Sequence, residues 1–217
     1  MRQRRIIMSA AGVLIGAISV GFFKLAAFGV DPFQSFMSGM DQLIPIEFGT
    51  LYVIVNAALL LFALIFDHHY IGVATFINMF FLGYVVQFSY DMLQLIFPDP
   101  SMLLRCGCFA FGFVSLCLGS SIYMTADLGV STYDAIALIM TNKWKIGPFK
   151  YIRIATDVSC VLLGIAMFLL GGGALSDIPA FVGVGTILTA FVMGPLIDFF
   201  NRKVAIPMLG NSKNSAN

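Results

Sequence analysis

The chain has 217 residues, 59% of them hydrophobic and 11% charged, with a net charge of +1, whereas soluble domains average roughly 45–50% apolar and roughly 25% charged. That balance marks an integral membrane protein and excludes nucleic-acid binding, which needs a dense basic face. The four cysteines lie in or beside apolar runs, so no disulfide framework is expected.

Arg2, Arg4 and Arg5 precede an apolar run from Ile6 to Phe28, whose Lys24 lies close enough to its end to snorkel. The run is longer than a secretory signal core and no polar mature region follows it, so it is expected to stay on the protein. It leads into Phe28-Gly29-Val30-Asp31-Pro32-Phe33-Gln34. Here Asp31 is a natural N-cap, Pro32 suits the first helical position because its missing N–H costs nothing there, and Gln34 takes the third. The segment that follows, Val30 to Ile44, is too short to cross. Apolar stretches of about 10 to 14 residues are more often re-entrant or interfacial than spanning. Runs of spanning length recur at Phe48 to Phe66, which contains Asn56, and at Tyr70 to Tyr90, with a solvated Asp67-His68-His69 turn between them. The second of these opens on Gly72-Val73-Ala74-Thr75-Phe76-Ile77-Asn78, where Thr75 and Asn78 share a helix face with Gly72. Two prolines in Phe97-Pro98-Asp99-Pro100-Ser101 end the run.

Beyond that junction the pattern returns. A span at Cys106 to Ala126 leads into Leu128-Gly129-Val130-Ser131-Thr132-Tyr133-Asp134, which echoes the motif at Phe28. Ser131 and Asp134 have capping-box spacing, with Asp in place of the usual Glu or Gln. A second short segment, Val130 to Met140, is followed by the basic loop Lys143 to Lys150 and a run from Tyr151 to Gly173 that contains Arg153 and Asp157. The last span, Ile178 to Ile197, carries Gly183-Val184-Gly185-Thr186-Ile187-Leu188-Thr189, the echo of the motif at Gly72, with Thr186 and Thr189 on the glycine's face. The expected fold is all-α and membrane-integral: six transmembrane helices as two inverted three-helix repeats, each with an additional short re-entrant or interfacial helix. The repeats cover residues 1–97 and 98–208, and residues 209–217 form a disordered cytoplasmic tail. The positive-inside tendency puts both termini and the Lys143 to Lys150 loop in the cytoplasm. If the short segments crossed as well, eight spans in two parallel halves would result. The two arrangements disagree on the side of His68.

The chemistry of these motifs leaves alternatives open. Helix starts in lipid carry unpartnered N–H groups and roughly half a positive charge. They either bind an anionic group or are satisfied by their own capping side chains. The small and hydroxylated stripes either pack helices closely or line a polar pathway. Asp157 pairs with Arg153 one turn away, as a structural bridge or as part of proton or substrate coupling, and Asn56 offers a partner from the matching span of the first half. Candidate binding residues are therefore Gly29, Asp31, Gln34, Asn56, Thr75, Asn78, Gly129, Ser131, Asp134, Arg153, Asp157, Thr186 and Thr189. Cys106-Gly107-Cys108 and His68-His69 lack companion ligands, so no metal or other cofactor is expected. No nucleophile with a base and no paired carboxylates at catalytic spacing are found, and the chain is not expected to be an enzyme.

At the repeated motifs the chain resembles the YczE/YyaS/YitT family of bacterial membrane proteins. Ala126-Asp127-Leu128-Gly129-Val130-Ser131-Thr132-Tyr133-Asp134 is similar to that family's A-D-L-G-V-S-P-W-D, and Gly183 to Thr189 to its G-I-G-T-I-L-N. Thr132, Tyr133 and Thr189 depart from the pattern, while the first copy keeps Pro32 and Asn78. The resemblance implies a multi-pass protein of the bacterial plasma membrane and brings no reaction with it. The duplication leads to the expectation of a small-molecule transporter or permease with a pathway between inverted repeats. The alternative is a non-transporting partner or ligand-binding subunit of a larger transport or biosynthetic complex. Expected partners are the lipid bilayer and a small molecule, anionic if the helix starts bind it, with a homo-oligomer or larger membrane complex as a further expectation and no nucleic acid.

Overall fold

A computed structural model describes residues 2–29, 31–46, 48–180 and 182–209, without the side chains of residues 2, 48, 49, 73, 77–83 and 180. Among these residues the chain is all helical and contains no strand. Among the described residues five helical stretches are long and apolar enough to cross a membrane: Gln3–Ala26, Thr50–Tyr70, Met102–Ala126, Phe149–Leu170 and Val184–Leu209. The remaining expected span falls on a helix of 24 residues, Val73–Ile96, in whose first half the side chains of residues 73 and 77–83 lie outside the description. The expected disordered tail from 210 onward and Val30 also lie outside the described residues.

In chain order the helices are α1 (Arg2–Ala26), α2 (Pro32–Leu43), α3 (Phe48–Asp67), α4 (Val73–Ile96), α5 (Met102–Ala126), α6 (Thr132–Leu138), α7 (Phe149–Leu170), α8 (Val184–Phe200) and α9 (Ile206–Leu209). Both short segments form helices. α2 has 12 residues, and α6 is prolonged by a π-helical turn, Ile139–Lys143. Each is about 18 Å long at 1.5 Å per residue, well short of a hydrocarbon core about 30 Å thick. The last span starts later than its apolar run suggests. Leu175–Ala180 is a separate 3₁₀ stretch holding Pro179, and α8 begins only after Gly183.

The chain divides into two compact units, each drawing on both sequence halves. The first comprises Met1–Ala26, His69–Ser131 and Pro195–Asn217. In it α1 and α5 pack antiparallel through small residues. A Cβ on Gly12 would meet the Gly119 carbonyl oxygen at 2.7 Å, and one on Gly112 the Ser19 carbonyl oxygen at 2.9 Å. At one end of the pair Arg5 reaches Asp127 at 3.2 Å, and at the other the Arg105 side chain donates to the Ala26 carbonyl at 2.8 Å. α4 joins α1 where the Ser89 hydroxyl donates to the Ile18 carbonyl at 3.2 Å.

The second unit comprises Ala27–His68 and Thr132–Gly194. Here α2 lies parallel to α7, with Gly39 against Gly164 and Gly171 against Gln42. α3 runs alongside α6. The Thr132 hydroxyl donates to Asn56 Oδ1 at 2.8 Å, and farther along Lys143 reaches the Phe66 carbonyl while Trp144 stacks edge-on to Phe66. Phe33, Met37 and Leu51 form the apolar core, with Tyr133 packed on it.

Candidate functional site

Both repeated motifs sit at helix junctions, and each meets the other motif's opposite copy. Gly29 and Gly129 have φ of +108° and +109°, a backbone region that side chains rarely adopt. In the first unit the Leu128 carbonyl accepts the Ala74 N–H at 3.2 Å, and a Cβ on Gly72 would overlap that carbonyl. In the second, the Phe28 carbonyl accepts the Gly185 N–H at 2.8 Å, and a Cβ on Gly183 would overlap it in the same way. Thr75 and Thr186 accept the N–H of Gly72 and Gly183 at 3.2 and 3.3 Å. Both threonines are buried. These hydroxyls therefore cap the starts of α4 and α8, a third role beside the helix packing and pathway lining expected of them inside spans. Thr189 donates to the Thr186 carbonyl at 2.8 Å, within its own helix. The Asn78 side chain lies outside the described residues.

The charged candidates gather in the second unit. Arg153, Asp157, Cys160 and Gly164 repeat at helical spacing, so they share one face of α7. Gly164 packs against the backbone of Ser35 and Phe36, which brings the start of α2 alongside Cys160 and Asp157. On the other flank Gly194 lets α8 close over Arg153, with room for no Cβ beyond 2.9 Å from the arginine's own. Arg153 is 5% exposed and Asp157 fully buried. The guanidinium pairs with Asp157 at 3.2 Å through Nε and with Asp134 through a terminal nitrogen. Asp134 is the first acidic residue of α6 and is itself buried.

Tyr133 ties this group together. Its hydroxyl donates to Asp157 Oδ1 at 2.6 Å and accepts from the Cys160 thiol at 3.6 Å. The ring carries the Arg153 guanidinium 4.6 Å from its centre and stacks on Phe33 at 5.2 Å. Phe33 in turn meets Tyr52 edge-on at 6.0 Å. Aligned positions of the two halves thus face each other with different chemistry. Tyr133, Asp134, Arg153 and Asp157 carry the polar network, while their counterparts Phe33, Gln34, Tyr52 and Asn56 carry no charge.

Asp31 caps α2 as expected, accepting the N–H groups of Phe33 and Gln34 at 3.1 Å each, with Pro32 in the first turn. Those donors are thereby satisfied by the chain itself. The carboxylate also lies within electrostatic reach of Arg153 and Asp157. Burial pushes it above the ordinary aspartate range, opposed first by the Gln34 N–H. Asn56 bonds Thr132 and the Tyr52 carbonyl instead of Asp157. The reason is length: Tyr133 reaches Asp157 from α6, and Asn56 is left facing the hydroxyl beside it. Ser131 precedes α6 and is half-buried.

Tyr133, Thr132, Cys160 and Phe33 are missing from the sequence-derived candidates. Tyr133 could have been found, since it is the position at which an aligned phenylalanine gains a hydroxyl next to an acidic residue, Asp134. Among the described residues no group of three or more metal-ligating side chains occurs.

Three similar proteins are bacterial. The chain is 23% identical to the "Uncharacterized membrane protein YczE" of Bacillus subtilis (strain 168) over 192 residues, covering 87% of this chain and 81% of that one. It is 23% identical to the "Uncharacterized protein YyaS" of the same strain over 189 residues, 87% of this chain and 88% of the other. An "Uncharacterized protein" of Haemophilus influenzae matches at 24% over 135 residues, 62% of this chain and 55% of its own. No solved structure matches the chain. The relationship to YczE and YyaS agrees with the resemblance read from the motifs, and the chain is a multi-pass membrane protein. Residues 3–202 match the model of the family of unknown function DUF6198, and the chain belongs to that family.

Proposed function

We infer that the chain is a small-molecule transporter of the bacterial plasma membrane whose substrate site is the charged centre of the second unit. The observation that carries this reading is the buried Asp134–Arg153–Asp157 network inside a membrane chain. Ionisable groups are expensive in hydrocarbon, and where they persist they pair or mark a pathway. A structural bridge needs one carboxylate per arginine. Here three carboxylates, those of Asp31, Asp134 and Asp157, lie about one guanidinium. Arg153 is committed to two of them, and Asp31 neutralises its own helix start, which argues against an anionic substrate. The excess of negative charge suits a substrate with a cationic group.

The topology in this reading is six spans in two inverted halves, with both termini in the cytoplasm. The antiparallel α1–α5 pair supports it. Arg5 at the start of α1 touches Asp127 at the end of α5, and Arg105 at the start of α5 touches the end of α1. His69 also reaches Asp127, at 2.8 Å. With six spans Arg5, His69 and Asp127 all fall on the cytoplasmic side. With eight, Arg5 would lie across the membrane from the other two, and the contacts could not form.

Thermal unfolding of purified protein against a panel of amines, amino acids and carboxylates tests the site. A cationic compound should raise the midpoint of the native protein and leave that of folded Asp134→Asn unchanged. Stabilisation by carboxylates alone would contradict the reading.

A further inference from the structure

We propose that Asp157 is the proton-exchanging group of this site, taking a proton from water and returning it through the hydroxyl of Tyr133. This rests on the reading of the charged centre as the transport site and adds the ion that occupies it in the absence of substrate.

The three carboxylates are not equivalent. Asp31 accepts two backbone N–H groups at the start of α2, bonds that favour its charged form. Asp134 receives a terminal nitrogen of Arg153, and Asp157 receives Nε. Asp157 has only Nε at 3.2 Å, and it is the one that is wholly buried. Its other oxygen lies 2.6 Å from Tyr133 Oη. A hydroxyl both donates and accepts. When Asp157 is ionised, Tyr133 donates to it. When a proton binds, the Asp157 O–H donates to Tyr133 Oη and the phenol hydrogen turns away, so one heavy-atom geometry serves both states. No electrons move, and the balance is one proton gained from water and one returned to it.

Charge drives the same conclusion. An unbalanced charge withdrawn from water is strongly disfavoured, and the cluster carries more carboxylates than cations. The titratable and charged groups facing Asp157 are Asp31 from the start of α2, Tyr133 and Asp134 from α6, and Arg153 and Cys160 from α7. Tyr52 of α3 stands behind them, beside Asp31. Arg153 alone among these is a cation. One bound proton removes one negative charge, and a cationic substrate competes for the same place.

Infrared spectroscopy of the purified full chain in lipid tests this without any substrate. A carboxylic-acid C=O band is expected at neutral pH, shifted in heavy water, lost at alkaline pH, absent from Asp157→Asn and retained in Asp31→Asn. Tyr133→Phe, which keeps the ring, should move the band because it removes the phenol partner. That variant decides the matter if Asp157→Asn does not fold. Absence of the band in the native chain, or its survival in Asp157→Asn, would overturn the proposal. Substrate-induced stabilisation without the band would leave the transport site standing and remove the proton. The band without stabilisation by any cationic compound would do the reverse.

Discussion

Arg153 is the residue on which the second unit's interior depends. It touches Asp134, Asp157 and the face of Tyr133 at once, so truncating it leaves the buried Asp134 carboxylate without its guanidinium. Removing one partner of a buried ion pair typically costs about 3–5 kcal/mol, and Arg153→Ala should fall in that range in reversible unfolding of the detergent-solubilised protein. Arg153→Ala combined with Asp134→Ala should recover part of the loss, because the second change removes the charge left behind. Equal or additive losses would mean that the pair contributes nothing through its charge. Asp31→Ala should behave as an ordinary cap and cost about 1 kcal/mol. The sequence already exposes the i,i+4 pairing of Arg153 and Asp157, because both lie on one helix. It does not reveal Asp134 as the second partner of Arg153. That contact requires α6 to pack beside α7, and nothing in the local spacing states it.

Among the elements, the helix junctions are the most constrained. Gly72 and Gly183 each lie against a carbonyl of the other motif's opposite copy, and Gly29 and Gly129 adopt positive φ beside them. Gly183→Ala should therefore disrupt folding, whereas Thr186→Ala, which removes only the hydroxyl that accepts the Gly183 N–H, should cost about 1 kcal/mol. Unfolding midpoints of both variants check this, and equal small losses would show that the junction tolerates a side chain. The sequence made the existence of the short helices legible through Asp31-Pro32 and through their length. It did not reveal that Thr75 and Thr186 cap helix starts, because an apolar run reads continuously through Gly72 and Gly183 whether or not the helix does. Only the carbonyls of Leu128 and Phe28, distant in sequence, show that the helices begin there.

At the scale of the whole molecule, composition alone identifies a membrane protein, and two motifs recur along its sequence. What composition cannot supply is direction, since the basic clusters fall inside with six or with eight spans. The contacts of Arg5 and His69 with Asp127 bear on that choice. In the six-span reading a cysteine at His68 should resist an impermeant maleimide in intact cells and react once the cells are opened. Ready labelling from outside would contradict it. The central claim, that the charged centre carries a substrate across the membrane, is tested most directly by flux. Native protein and folded Asp134→Asn are reconstituted into liposomes and offered radiolabelled amines, amino acids and carboxylates under a gradient. The prediction is that at least one compound with a cationic group enters through the native protein and not through the variant. Absence of flux for every class through the native protein, or equal flux through both, would contradict it.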